Sequence, residues 1–279
     1  MLRALSTHPF SRCTTGALWH LLALGAVLLL GACAGKEGYQ KIGPNSTPNQ
    51  IYAEARDDMD SNSYDKAIPL WEQLEGKAAG TPLAQQAQLE KAYAYYKSGD
   101  KPTAISTLDR FMKLHPTSPA MDYALYLKGI VNFNDDLGIL GFISKQDLSE
   151  RDQNAAKLSL QSFQELVKRY PQSKYAEDAN KRILYIVNSL AQSEVNVARY
   201  YYTRKAYVAA INRAQAAIKD YPATPAQEDA LYYLAKSYDA LGMTQLASDT
   251  RRVYAATYPQ GTMLQAGPKA EEKPWWRLW

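Results

Sequence analysis

Leu114-His115-Pro116-Thr117-Ser118, Arg169-Tyr170-Pro171-Gln172-Ser173 and Asp220-Tyr221-Pro222-Ala223-Thr224 are three copies of one punctuation, and Tyr258-Pro259-Gln260-Gly261 is a fourth, looser one. Proline breaks a helix interior but is tolerated in a first turn, so each copy ends one helix and opens the next. Counting back 12 residues from each proline reaches Ala104, Ser159, Ala210 and Ala247; counting back 24 reaches Ala92, Asp147, Ala198 and Ala235. All but Asp147 are small, as two helices need where they cross closely. No stretch past residue 49 shows the sustained alternation of a strand, so the domain reads as all-α.

These spacings, with Tyr95, Leu108 and Phe111 at the larger positions of the second unit, resemble the 34-residue TPR pattern. An earlier unit carries Ala55, Tyr64, Ala67, Trp71 and Leu74 and ends at Thr81-Pro82, 34 residues before Pro116. The expected architecture is an α-solenoid of about five TPR-type helical hairpins, with units near 48–82, 83–118, 120–173, 175–224 and 226–260. Asp147 marks an insertion, because Gly129 takes the close-contact position of unit three and leaves about 18 extra residues before the second helix. The inserted loop, residues 132–154, contains Gly141-Phe142 and Glu150-Arg151-Asp152. Insertions in repeat arrays gather on one face, often a binding face. Residues 175–203 hold neither Pro nor Gly, and one helix of that length would run about 44 Å.

The first 32 residues read as a targeting segment: Arg3 and Arg12 are its basic part, residues 17–30 are mostly apolar, and Gly31-Ala32 precede Cys33. The apolar stretch falls short of the roughly 20 residues that span hydrocarbon. Leu30-Gly31-Ala32-Cys33 resembles the bacterial lipobox, which implies cleavage before Cys33 and a covalent diacylglycerol and fatty acyl groups on it. Ala34, where Asp would favour retention at the inner membrane, implies the inner (periplasmic) leaflet of the outer membrane. Residues 33–48 are an acylated start and flexible linker, and residues 49–261 are the repeat domain. Removing residues 1–32 from the 279 leaves 247 and takes away Arg3 and Arg12, so the formal charge falls from +4 to +2. No nucleic-acid partner is expected. Cys33 and His115 are then the last cysteine and histidine, which excludes a Cys/His zinc cluster and any nucleophile–histidine site without His115. The pairs Asp57-Asp58 and Asp135-Asp136 come with no nucleophile motif, phosphate loop or metal constellation and read as solvated faces. No catalysis, cofactor or metal is expected.

Lipobox, five repeats and particular local strings together resemble the BamD family, the TPR lipoprotein subunits of the bacterial β-barrel assembly (BAM) machinery, over residues 49–260. The specific strings are Tyr93-Ala94-Tyr95-Tyr96-Lys97, Asp135-Asp136, Gly141-Phe142, Glu150-Arg151-Asp152, and Val197-Ala198-Arg199-Tyr200-Tyr201 followed by Asn212-Arg213. The resemblance implies a role in inserting β-barrel proteins into the outer membrane. It implies that the C-terminal repeats contact the last POTRA domain of the barrel subunit, that the N-terminal repeats meet the C-terminal β-signal of unfolded outer-membrane proteins, and that other accessory lipoproteins dock. The competing reading is a periplasmic TPR scaffold lipoprotein for cell-wall synthesis or division, against which the loop strings argue. The long signal segment and residues 263–279 have no family counterpart.

Candidate site residues follow. Ala210, Ala214 and Ala217 form an inward seam, so Arg213 faces outward as a fork for a partner carboxylate, with Asn212 and Arg199 on the same partner surface. Tyr64, Tyr93 and Tyr96 concentrate aromatic area for an extended peptide on units one and two. Phe142, Arg151 and Asp152 are loop contacts. Residues 262–279 read as a disordered tail whose end, Trp275-Trp276-Arg277-Leu278-Trp279, suits a membrane interface, a partner subunit, or the peptide groove in cis.

Overall fold

A computed structural model describes residue 43, residues 45–133 and residues 153–267. Cys33, the loop residues Phe142, Arg151 and Asp152, and the tail residues Trp275, Trp276 and Trp279 lie outside the described residues. The helices belong to one compact unit beginning at Thr47, and none of them is long and apolar enough to cross a membrane.

Ten helices pair into five hairpins: α1 (Pro48–Asp60) with α2 (Tyr64–Lys77), α3 (Pro82–Lys97) with α4 (Lys101–Leu114), α5 (Met121–Asn132) with α6 (Gln153–Arg169), α7 (Ala176–Thr203) with α8 (Tyr207–Asp220), and α9 (Gln227–Ala240) with α10 (Thr244–Thr257). Their starts are written in side-chain chemistry. Thr47 and Gln50 close a reciprocal capping box ahead of Pro48, Thr81 caps α3 ahead of Pro82, and the Asp100 carboxylate accepts from the Thr103 amide. The turn inside four of the hairpins is one repeated device. Asn62, Gly99, Lys205 and Gly242 all take positive φ, and the next amide reaches back five residues: Ser63 to Asp58, Asp100 to Tyr95, Ala206 to Tyr201, Met243 to Tyr238, at 2.7–2.9 Å. These are helix-ending Schellman bonds, which need a left-handed residue at the corner. Unit three carries its insertion at that corner.

The seam is as the spacing predicts: Ala92, Ala104, Ser159, Ala198, Ala210, Ala235 and Ala247 are all completely buried. Gly129 stands opposite Ser159, whose hydroxyl donates to the Gly129 carbonyl at 2.8 Å. The Phe163 ring occupies the space a side chain at 129 would need. Helix α7, 28 residues in one piece, belongs to two cores. Ala179, Ile186 and Leu190 pack with unit three, while Ala191, Val195 and Ala198 pack with unit four and Tyr233 of unit five. First helices of successive hairpins also touch each other, α3 on α5 and α7 on α9, and no two second helices meet to that extent. The first helices therefore line the inner side of the array.

One expectation needs correction. The segment from Met263 begins in order: Met263–Ala266 forms a helical turn, α11, against α9. The Met263 amide donates to the Tyr254 hydroxyl at 3.1 Å, and that hydroxyl donates to Glu228 at 2.6 Å. Gly261 permits this approach, since a Cβ there would lie 2.5 Å from the Tyr254 oxygen.

Candidate interaction surfaces

Two surfaces emerge on the array. The first is an aromatic belt on the inner side of units two and three, reaching the start of unit four. Tyr93 and Tyr96, one helical turn apart on α3, have ring centroids 6.3 Å apart. Tyr123 on α5 lies 5.6 Å from Tyr175, and Tyr175 stacks on Tyr126 at 4.6 Å. Burial pushes the Tyr123 hydroxyl well above its ordinary range, and Glu90, Tyr175 and Tyr93 push the same way. Charge pairs lie beside the belt. On one side Arg56 of α1 meets Glu90 of α3 at 3.5 Å. On the other, Asp178 accepts from the Tyr126 hydroxyl at 2.8 Å and from Arg182 at 2.6 Å. Glu90 is raised above the usual carboxylate range by burial, which Arg56 only partly offsets. Asp178 is also pushed up by burial, but hydrogen bonds from Arg182 and Tyr126 and the Arg182 charge outweigh that and leave it lowered.

Tyr64 opens α2, with its hydroxyl on Asn62 at 2.6 Å and the Lys97 ammonium 5.9 Å above its ring. Tyr123 and Tyr175 were not among the candidates. Each lies beside a repeat punctuation and looks like packing, and the signal that could have found them is the recurrence of tyrosine on consecutive first helices.

The second surface lies on unit four. Arg213 faces outward, its side chain 48% exposed, and its guanidinium already reaches Glu194 of α7 at 3.1 Å. Five donors sit on a guanidinium, so the edge away from Glu194 remains for a second carboxylate. Asn212 is exposed beside it and lines a 540 Å³ pocket with Gln215, Ile218 and Leu234. Arg199 is not brought to the same spot. It follows Glu194 by five residues, about 140° around α7, and lies near Asn196 and Asp229.

The sequence profile of the YfiO family, described as outer membrane lipoprotein, matches residues 44–253. A protein of Neisseria meningitidis serogroup A named outer membrane protein assembly factor BamD is 43% identical, over 93% of this chain and 98% of its own. Its counterpart of the same name in Vibrio cholerae is 33% identical, over 82% of this chain and 95% of its own.

Proposed function

Because this chain belongs to the BamD family of outer membrane protein assembly factors, we propose that it serves the β-barrel assembly complex as a lipid-anchored adaptor with two working faces. The inner belt around Tyr93 and Tyr96, with Tyr64 at the neighbouring turn, takes the C-terminal signal of unfolded barrel proteins. The outward face of unit four, centred on Arg213 with Asn212, holds the barrel subunit through its POTRA domains, and Arg199 contributes from the other side of α7. Phe142, Arg151 and Asp152 are contacts of the inserted loop with a partner. The observation that carries the reading is the presence of an aromatic inner face and an outward arginine on different hairpins of one compact unit.

Charge reversal tests the second face. Arg213→Glu repels a partner acid, so recovery of the barrel subunit from detergent-solubilised membranes should fall about tenfold or more. Arg213→Gln, which also breaks the pair with Glu194, is the control for the small loss of thermal stability. Undiminished recovery would remove Arg213 from the interface. The same pull-down, with cell-wall enzymes recovered in place of the barrel subunit, would favour the scaffold reading.

Anchoring rests on Cys33, since several acyl chains hold a soluble domain to a leaflet where one does not. Residues 34–279 behind a signal peptide that is cleaved without acylation should appear in the soluble periplasmic fraction, whereas the acylated protein sediments with the outer membrane. Trp275, Trp276 and Trp279 add an interfacial contact in this reading. Deleting residues 270–279 from that unacylated protein should then abolish its residual binding to anionic liposomes, and unchanged binding would leave the tryptophans without an anchoring role.

A further inference from the structure

Tyr93 on α3, Tyr123 on α5 and Tyr175 just ahead of α7 follow one another along the inner side of three successive hairpins. Some tyrosine hydroxyls of the array are engaged: Tyr126 donates to Asp178, Tyr254 donates to Glu228, and Tyr238 accepts from Gln215. Among the described residues, no group is hydrogen-bonded to the hydroxyls of Tyr93, Tyr123 or Tyr175; their aromatic and cation contacts join Tyr93 to Tyr96, Tyr123 to Tyr175, and Tyr175 to Tyr126 and Lys174. The rings themselves are held. Tyr123 and Tyr175 are wedged together with Tyr126, and Tyr93 and Tyr123 both pack on the core of unit two.

A phenol hydroxyl both donates and accepts. A row of such groups on a fixed inner face matches a ligand that presents donors and acceptors alternately along a line, which is the description of an extended backbone whose N–H and C=O groups have no strand partner. We propose that Tyr93, Tyr123 and Tyr175 hydrogen-bond the main chain of an extended, unfolded protein segment lying along the inner face. This rests on the peptide-groove reading above and deepens it. The groove continues past units one and two onto unit three and the start of unit four, and it grips the backbone, so it accepts many side-chain sequences. The charge pairs Arg56–Glu90 and Asp178–Arg182 lie beside the row, each acid with its counter-charge in place.

The test removes the hydroxyls and keeps the rings. The full protein carrying Tyr93→Phe, Tyr123→Phe and Tyr175→Phe together is compared with the unchanged protein for binding two synthetic peptides. One copies the C-terminal strand of an outer-membrane barrel protein, and the other has the same composition and terminal residue but a shuffled order. Both peptides should bind the unchanged protein, and the triple variant should weaken both by the same factor, roughly tenfold to a hundredfold for three neutral hydrogen bonds. A thermal melt within a few degrees of the unchanged protein shows that the array is intact, and if the triple variant does not melt so, the three single variants are read instead. Equal affinity of variant and unchanged protein overturns the hydroxyl ladder and leaves the peptide groove standing. Loss of the natural peptide alone overturns main-chain reading in favour of side-chain reading. Failure of the unchanged protein to bind either peptide overturns the groove itself.

Discussion

Glu75→Leu should lower the stability of the array by about 3 kcal/mol, a fall of roughly 10 °C in its melting. The Lys91 side chain is 6% exposed, and its ammonium lies 2.7 Å from Glu75 Oε2. Gln88 donates to the other oxygen of the same carboxylate at 2.9 Å and Arg110 at 2.8 Å. One carboxylate from α2 thus neutralises a buried lysine of α3 and ties down α4. Leucine fills the space and leaves the lysine charged in an apolar setting, where an unpaired ion costs far more than the pair was worth. Adding Lys91→Met should recover most of the loss, to within about 1 kcal/mol. If Glu75→Leu alone melts like the unchanged protein, the ammonium reaches water by another route. Acid probes the same cluster. Burial raises the Glu75 pKa, but hydrogen bonds from Lys91 and Gln88 and the charges of Lys91 and Arg110 outweigh it, so the group sits below its ordinary 4.5. A depressed carboxylate stabilises above its unfolded pKa and loses that contribution as pH falls through the folded one. The unchanged protein should therefore lose stability relative to Glu75→Gln as the pH drops below 4.5.

Gly129→Ala should destabilise the third hairpin by about 2 kcal/mol, opposite in sign to what the substitution does in an open helix. In a solvated helix, alanine gains about 1 kcal/mol over glycine. At 129 its Cβ would stand 2.5–2.8 Å from three atoms of the Phe163 ring, which is fully buried and cannot swing away. Moving α6 outward to relieve the clash would stretch the bond from Ser159 to the Gly129 carbonyl. Phe163→Leu in the same chain should return much of the loss. A double-mutant cycle by chemical denaturation measures that coupling, and additivity of the two changes would show that the ring is not what forbids the methyl.

Much of this was legible in the sequence because repeat proteins write their crossings in small residues. Ala92, Ala104, Ala198, Ala210, Ala235 and Ala247 sit at the seam, and Gly129 rather than Asp147 meets Ser159. The four corner turns were less legible. Gly99 and Gly242 signal left-handed backbone, but Asn62 and Lys205 adopt it with side chains that signal it weakly or not at all. Pro69 lies within α2, where a pattern rule would end the helix. Met263–Ala266 is tied down by the Tyr254 hydroxyl, which accepts from its first amide and donates to Glu228, 35 residues earlier in the chain than Met263. The pairing of Arg213 with Glu194 and the meeting of Tyr123 with Tyr175 depend on how one helix rotates against the next, which periodicity within a single helix does not specify.

Helix α7 runs 28 residues without a break and is rooted in two cores. At 1.5 Å per residue it is a strut of about 42 Å. Bending it in the middle would cost intrahelical bonds, whereas tilting it whole costs only adjustments where it is seated. A tilt of about 10° about the Tyr175 end would carry the far end through about 7 Å. Whatever shifts the seat beside Tyr126 and Tyr175 is thus handed on, as leverage, to the turn at Lys205 and to α8, which carries Arg213.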